Sequence, residues 1–160
     1  MSDQTIRMLE KYSEHELKVS ELYTLYSDLF PEDRSFWFNM ALEEKNHASL
    51  IKSSTLYVKL GMLPKQMIYD CIENAENTIV EMSGRIEQYL ALTPPKCEAY
   101  RFALLVERSP CEAHFKDAML TPSDDKVMQI LQKICRMDAF HFTRVDSMME
   151  KLKCHSVDDE

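Results

Sequence analysis

Apolar residues recur in steps of three and four along five stretches of the chain, the spacing of helices that each bury one face. The stretches are separated at Phe30-Pro31-Glu32-Asp33, Gly61-Met62-Leu63-Pro64, Thr93-Pro94-Pro95 and Thr121-Pro122-Ser123-Asp124. Proline just inside a helix start, with Asp or Ser nearby, marks a beginning. Gly61 stands where a C-terminal cap is expected. The pattern predicts helices at about 3–29, 32–60, 65–91, 95–119 and 124–153. No low-complexity linker interrupts them, so a single domain over 1–160 is expected.

The third stripe, Ile68, Ile72, Ala75, Ile79, Met82, Ile86 and Tyr89, is apolar throughout. The other four are interrupted near their middles by polar residues. In the first helix, Leu9, Tyr12, Glu16, Val19, Tyr23, Tyr26 and Phe30 share a face, and in the second Trp37, Met40, Glu44, His47, Ile51, Ser54 and Val58. In the fourth the face is Tyr100, Leu104, Glu107, Cys111, His114 and Ala118. In the fifth it is Val127, Leu131, Ile134, Asp138, His141, Val145, Met148 and Leu152. A carboxylate on a buried face is costly unless it is paired or binds a metal.

The interruptions fall at matching depths. Glu16 lies 15 residues before Pro31, while Glu44 and His47 lie 13 and 16 after it. Antiparallel packing about that turn makes the three level. About Pro122–Ser123, Glu107 is level with Asp138 and His141 in the same way. The same half-site thus occurs twice, which suggests duplication of a helical hairpin. Glu44-x-x-His47 and Asp138-x-x-His141 each share a helix face. A lone pair of this kind is ordinarily a solvated pair, and a lone core histidine ordinarily a hydrogen-bonded one. Six matched positions on four buried stripes instead fit two iron or manganese ions, with bridging carboxylates and one imidazole for each metal.

Composition narrows the alternatives. The chain has 160 residues and two glycines, against about 11 from average usage. Neither a dinucleotide fingerprint nor a P-loop can be built from Gly61 and Gly84. Gly84, inside the third predicted helix, is expected to permit a bend or close packing. The net charge of −8, with no Lys/Arg run, argues against nucleic acid and mildly for cations. No apolar run approaches the length of a membrane span. The first residues, MSDQTIRMLEKYSE, contain no apolar signal segment. Cys71, Cys97, Cys111, Cys135 and Cys154 are odd in number and form no C-x-x-C. These features point to a reduced, cytoplasmic setting and exclude a thiolate zinc or iron site. His15 is expected to be exposed, and Phe36, Trp37 and Phe38 to pack at one end of the fold.

The chain resembles the rubrerythrin-like branch of the ferritin-like di-iron carboxylate superfamily over about residues 10–150. The resemblance is carried by Glu16-x6-Tyr23, by Leu29-Phe30-Pro31-Glu32-Asp33 with Phe36-Trp37, and by Ala41-Leu42-Glu43-Glu44-Lys45-Asn46-His47-Ala48. In the second half it rests on Glu98-Ala99 leading into Glu107, and on Asp138-x-x-His141. It implies a four-helix bundle in which the third predicted helix, about 39 Å long at 1.5 Å per residue, is the crossover from the second helix to the fourth. It implies Glu16, Glu44, His47, Glu107, Asp138 and His141 as ligands of two iron ions, Tyr23 as a tyrosine behind the ligands, and reaction with O₂ or peroxide.

The chain departs from that pattern in four places. It has no rubredoxin module, which leaves the electron donor unknown. Asp138 stands where Glu is usual, Pro110 replaces a further carboxylate, and His114 replaces a second tyrosine. Pro110 is expected to kink the fourth helix. The function expected is a di-iron oxidoreductase acting on peroxide, O₂ or Fe(II). The alternatives are metal binding or iron buffering without turnover, and a helical interaction protein, such as a homodimer built on the third stripe.

Overall fold

The computed structural model describes residues 2–60, 72–108, 124 and 126–154, with side chains except at 2, 126–128, 130, 131 and 133–139. Among the described residues all regular structure is helical and there is no strand, as the periodicity predicts. The helices are α1 (Ser2–Leu29), α2 (Arg34–Lys59), α3 (Ile72–Ala91), α4 (Lys96–Glu107) and α5 (Lys126–Leu152). The second begins at Arg34 and not at 32, because Pro31–Asp33 forms a 3-10 turn with proline at its start. Gly61, residues 65–71 and 109–119 of the expected helices, and the expected kink at Pro110 lie outside the described residues, as do Cys111 and His114.

Two serines set the register of α1 on α2. Ser13 Oγ donates to the Ala48 carbonyl at 2.9 Å, and Ser20 Oγ to the Ala41 carbonyl at 2.7 Å. Both pairs have their midpoint between residues 30 and 31, so the helices are antiparallel about the Pro31 turn. Small side chains at all four positions allow the backbones to come close enough for these bonds. Glu16, between the two serines, is thereby level with Glu44, as the turn arithmetic requires.

The apolar stripe of α3 is used within the chain. Ala75, Met82, Ile86 and Tyr89 are buried, with Ile72 and Ile79 partly so. The Tyr89 ring lies 6.0 Å from that of Tyr26, and Glu76 lies 3.8 Å from Lys11. This helix therefore runs alongside α1 in the same direction. Gly84 makes no close approach: nothing lies within 4 Å of the place a Cβ would occupy.

The second hairpin is closed covalently. Cys97 at the start of α4 and Cys154 just beyond α5 form a disulfide with Cα atoms 5.2 Å apart, where the sequence led us to expect reduced thiols. Their separation of 57 residues hides the pair from any search for local cysteine motifs. Arg101 Nη2 donates to the Cys154 carbonyl at 3.1 Å, and the Arg108 guanidinium lies 4.6 Å from the Phe142 ring centre. The helices α4 and α5 are therefore antiparallel, with the Cys97–Cys154 midpoint between residues 125 and 126, about one turn later than the proline position suggests.

The two hairpins meet over an aromatic core. Trp37 is fully buried, with ring centres 4.6 Å from Tyr100, 5.0 Å from Tyr26 and 5.2 Å from Tyr23. Tyr100 donates to Asp33 Oδ2 at 3.1 Å, and Lys96 pairs with Glu32 and Asp33. This end of the fold is fastened to the Pro31 turn through those contacts. Of the three neighbouring aromatics, Trp37 is core and Phe36 partly buried, whereas Phe38 is 55 % exposed.

Candidate metal centre

Carboxylates and imidazoles from four helices converge beneath the aromatic core. Glu16, Glu44, His47, Glu107 and His141 are all buried, although a carboxylate is almost never fully buried without a partner. Glu44 lies at the centre. Its Oε1 is 2.6 Å from His141 Nδ1, and its Oε2 is 3.1 Å from His47 Nδ1. Each oxygen thus faces a different imidazole, and the two rings stack with centres 5.4 Å apart. Glu16 reaches Glu44 from α1 within hydrogen-bonding distance. From α4, Glu107 accepts a 2.6 Å hydrogen bond from the Tyr23 hydroxyl.

The Tyr23 contact refines its expected place. Tyr23 is on the face of Glu16, but it supports a carboxylate from the opposite hairpin. Burial, followed by the charge of Glu107, raises its pKa well above the ordinary phenol value, so it remains a donor. Asp138 lies on α5 one turn before His141, and its side chain is outside the described atoms. Of the six expected ligands, Glu44, His47 and His141 form one cluster, Glu16 reaches Glu44, and Glu107 is near enough for its charge to act on His141.

Two contributors were not assigned from the sequence. Glu43 Oε2 lies 2.7 Å from His141 Nε2 and accepts a hydrogen bond of the same length from Arg144 Nη1. Glu43 is adjacent to Glu44 in sequence but points about 100° away around the helix, off the apolar stripe. The only trace in the sequence is one acid on α2 and one base on α5. Their encounter depends on how the two helices are rotated, which no single stripe specifies. The third surprise is His15, expected to be exposed and found at 0 % exposure. Its Nδ1 lies 3.5 Å from Glu16 Oε1.

Burial opposes ionisation of Glu44, but hydrogen bonds from His141 and His47 overcome it and hold the carboxyl well below the usual range. Burial likewise opposes the charge on His141. The bonds and charges of Glu44, Glu107 and Glu43 outweigh it and raise its pKa to about 9. In the metal-free chain His141 is therefore an imidazolium held between two carboxylates. Burial lowers the His15 pKa to about 4 despite the attraction of Glu44, so this imidazole is neutral at pH 7.

These shifts predict how stability depends on pH without metal. His141 is raised above its unfolded value of 6.5. Its contribution is complete below pH 6.5 and is lost as pH rises through about 9. Glu44 is lowered from 4.5. Its contribution is present above pH 4.5 and disappears as pH falls below that. His15, lowered to about 4, adds a loss of stability as pH falls from 6.5 toward 4, so urea midpoints of metal-free protein should peak near pH 6.5, declining toward pH 9 and toward acid. In His141→Gln the alkaline decline should flatten; an unchanged decline would assign it to other groups.

Glu44, His47 and His141 form a group that could hold a metal ion, with one ligand atom from each lying within 4.8 Å of the others. The donor set suits a cation. Three buried carboxyl groups, Glu16, Glu44 and Glu107, gather with the imidazoles of His47 and His141, and carboxylate with imidazole is the ligand chemistry of iron and manganese. Comparison with known protein families, curated proteins and solved structures gives no match to this chain.

Proposed function

We propose that the chain is a non-haem di-metal protein of the rubrerythrin-like kind, folded as a ferritin-like four-helix bundle with α3 as part of the crossover. Two ions would be held, iron first and manganese as the alternative. Glu16, Glu44, His47, Glu107, Asp138 and His141 would be the ligands. The burial of three carboxyl groups, Glu16, Glu44 and Glu107, beside two imidazoles carries this reading, because burying such groups without compensation is expensive.

Iron, if held there, would supply redox chemistry toward O₂ or peroxide, or would be oxidised from Fe(II) by them. The chain's own residues prepare the place. Glu44 presents one oxygen to each imidazole and would hold metal together with them. Glu43 accepts from His141 Nε2, which turns Nδ1 inward and fixes the ring. Tyr23 holds Glu107 by its hydroxyl, and the Trp37–Tyr100 layer closes one end of the site to water. Binding at His141 Nδ1 requires its proton to leave, so metal uptake should release protons.

Anaerobic titration with ferrous iron should saturate at two ions per chain. Admission of oxygen should then give ferric absorption in the near ultraviolet. Glu44→Ala and His141→Ala should each abolish that absorption, and its survival in both would reject the proposal. A second reading, metal buffering without turnover, is favoured by Pro110 and His114, which replace the carboxylate and tyrosine that the resemblance leads one to expect. It predicts the same ferrous uptake with no multiple turnover of peroxide when a reductant is supplied.

A further inference from the structure

Resting on the proposed metal centre, we propose that His15 is a third imidazole ligand, sharing with Glu16 the cation held on the α1 side of the cluster. Neither ring nitrogen of His15 has a hydrogen-bond partner, and the side chain is 1 % exposed. A buried donor or acceptor left without a partner is rare and calls for a specific cause, such as an ion. His15 Nδ1 is 3.5 Å from Glu16 Oε1, too far and too poorly aligned for a hydrogen bond. That separation is suitable for shared coordination. Two donors bound at about 2.0–2.2 Å to one ion stand roughly 3.0 Å apart at right angles and 4.2 Å apart when opposite.

The placement follows from the α1 register. Ser13 and Ser20 tie the helix to α2 on either side of His15 and Glu16, so the pair enters the core at the level of Glu44. A third neutral imidazole adds a nitrogen donor without adding charge. It biases the site toward imidazole-binding first-row ions and away from magnesium and calcium.

A ligand role and a packing role differ in sign. A ligand that is unpaired without its metal weakens the empty protein, so His15→Leu should raise the melting temperature of metal-free chain by roughly 2–4 °C. The same variant should bind Co(II) at least about tenfold more weakly under anaerobic conditions. Proton spectra of the cobalt-loaded parent should show three strongly shifted, exchangeable imidazole N–H resonances, and those of His15→Leu two. His15→Gln, which keeps polarity at the position, should share the affinity loss. Cobalt affinity within twofold of the parent in either variant, or two shifted resonances in the parent, would overturn the assignment of His15 and leave the metal centre standing. A parent that takes up neither cobalt nor ferrous iron would remove both.

Discussion

His141→Ala should cost the metal-free protein about 3–5 kcal/mol, the usual result of removing one partner from a buried ion pair. The imidazolium lies 2.6 Å from Glu44 and 2.7 Å from Glu43. Removing it leaves the charge on Glu44 without its closest partner. Glu43 is less affected, because it retains Arg144 and is one-third exposed. The double variant Glu44→Gln/His141→Ala should recover much of the loss, since the amide carries no charge to strand. Urea unfolding of the parent, both single variants and the double variant gives the coupling directly. A loss below about 1 kcal/mol for His141→Ala would mean that the pair is effectively solvated, contrary to its burial. If the proposed metal centre is right, the same variant should also abolish metal binding. On the proposed reading, the proton on His141 stands where a cation would bind.

The second large effect concerns the layer above the site. Trp37→Ala should destabilise the chain by about 3–5 kcal/mol through lost burial and the cavity left behind. For a chain of this length that corresponds to a melting temperature lower by roughly 10 °C. Phe38→Ala, one position away and facing solvent, should change stability by no more than about 0.5 kcal/mol. The contrast is a sensitive check on the rotation of α2, because a helix turned by one residue would exchange the two outcomes. Trp37 also packs on the ring of Tyr23, whose hydroxyl bonds Glu107. Loss of Trp37 should therefore loosen Glu107 and weaken metal binding even in the fraction that remains folded.

Much of this was legible in one dimension. A period of 3.6 with proline at the breaks is a local signal, and it specified the helices. Equal spacing of Glu16 and Glu44 about Pro31 specified their common depth, since antiparallel helices joined by a tight turn have little freedom to slide. The chain also marks its own exceptions. A carboxylate or imidazole in the middle of an apolar stripe has no packing rationale, and all five expected ligands whose side chains are described are buried, three of them in one cluster.

What the sequence left open has a common physical cause. Stripes indicate which face of a helix is buried, but not how that face is rotated against a particular neighbour. Glu43 and Arg144 meet only because α2 and α5 present the edges of their stripes to one another. Tyr23 bonds Glu107 of the other hairpin because the hairpins cross at that level. Cys97 and Cys154 form a disulfide because antiparallel α4 and α5 bring their distant ends together. His15 is off the main stripe of α1 and reads as a surface residue, yet packing of the helices buries it completely. Period and turn position determined the helices and the depth of the acids and histidines. Packing of one helix against another decided which of them touch, which carry a proton, and which wait without a partner.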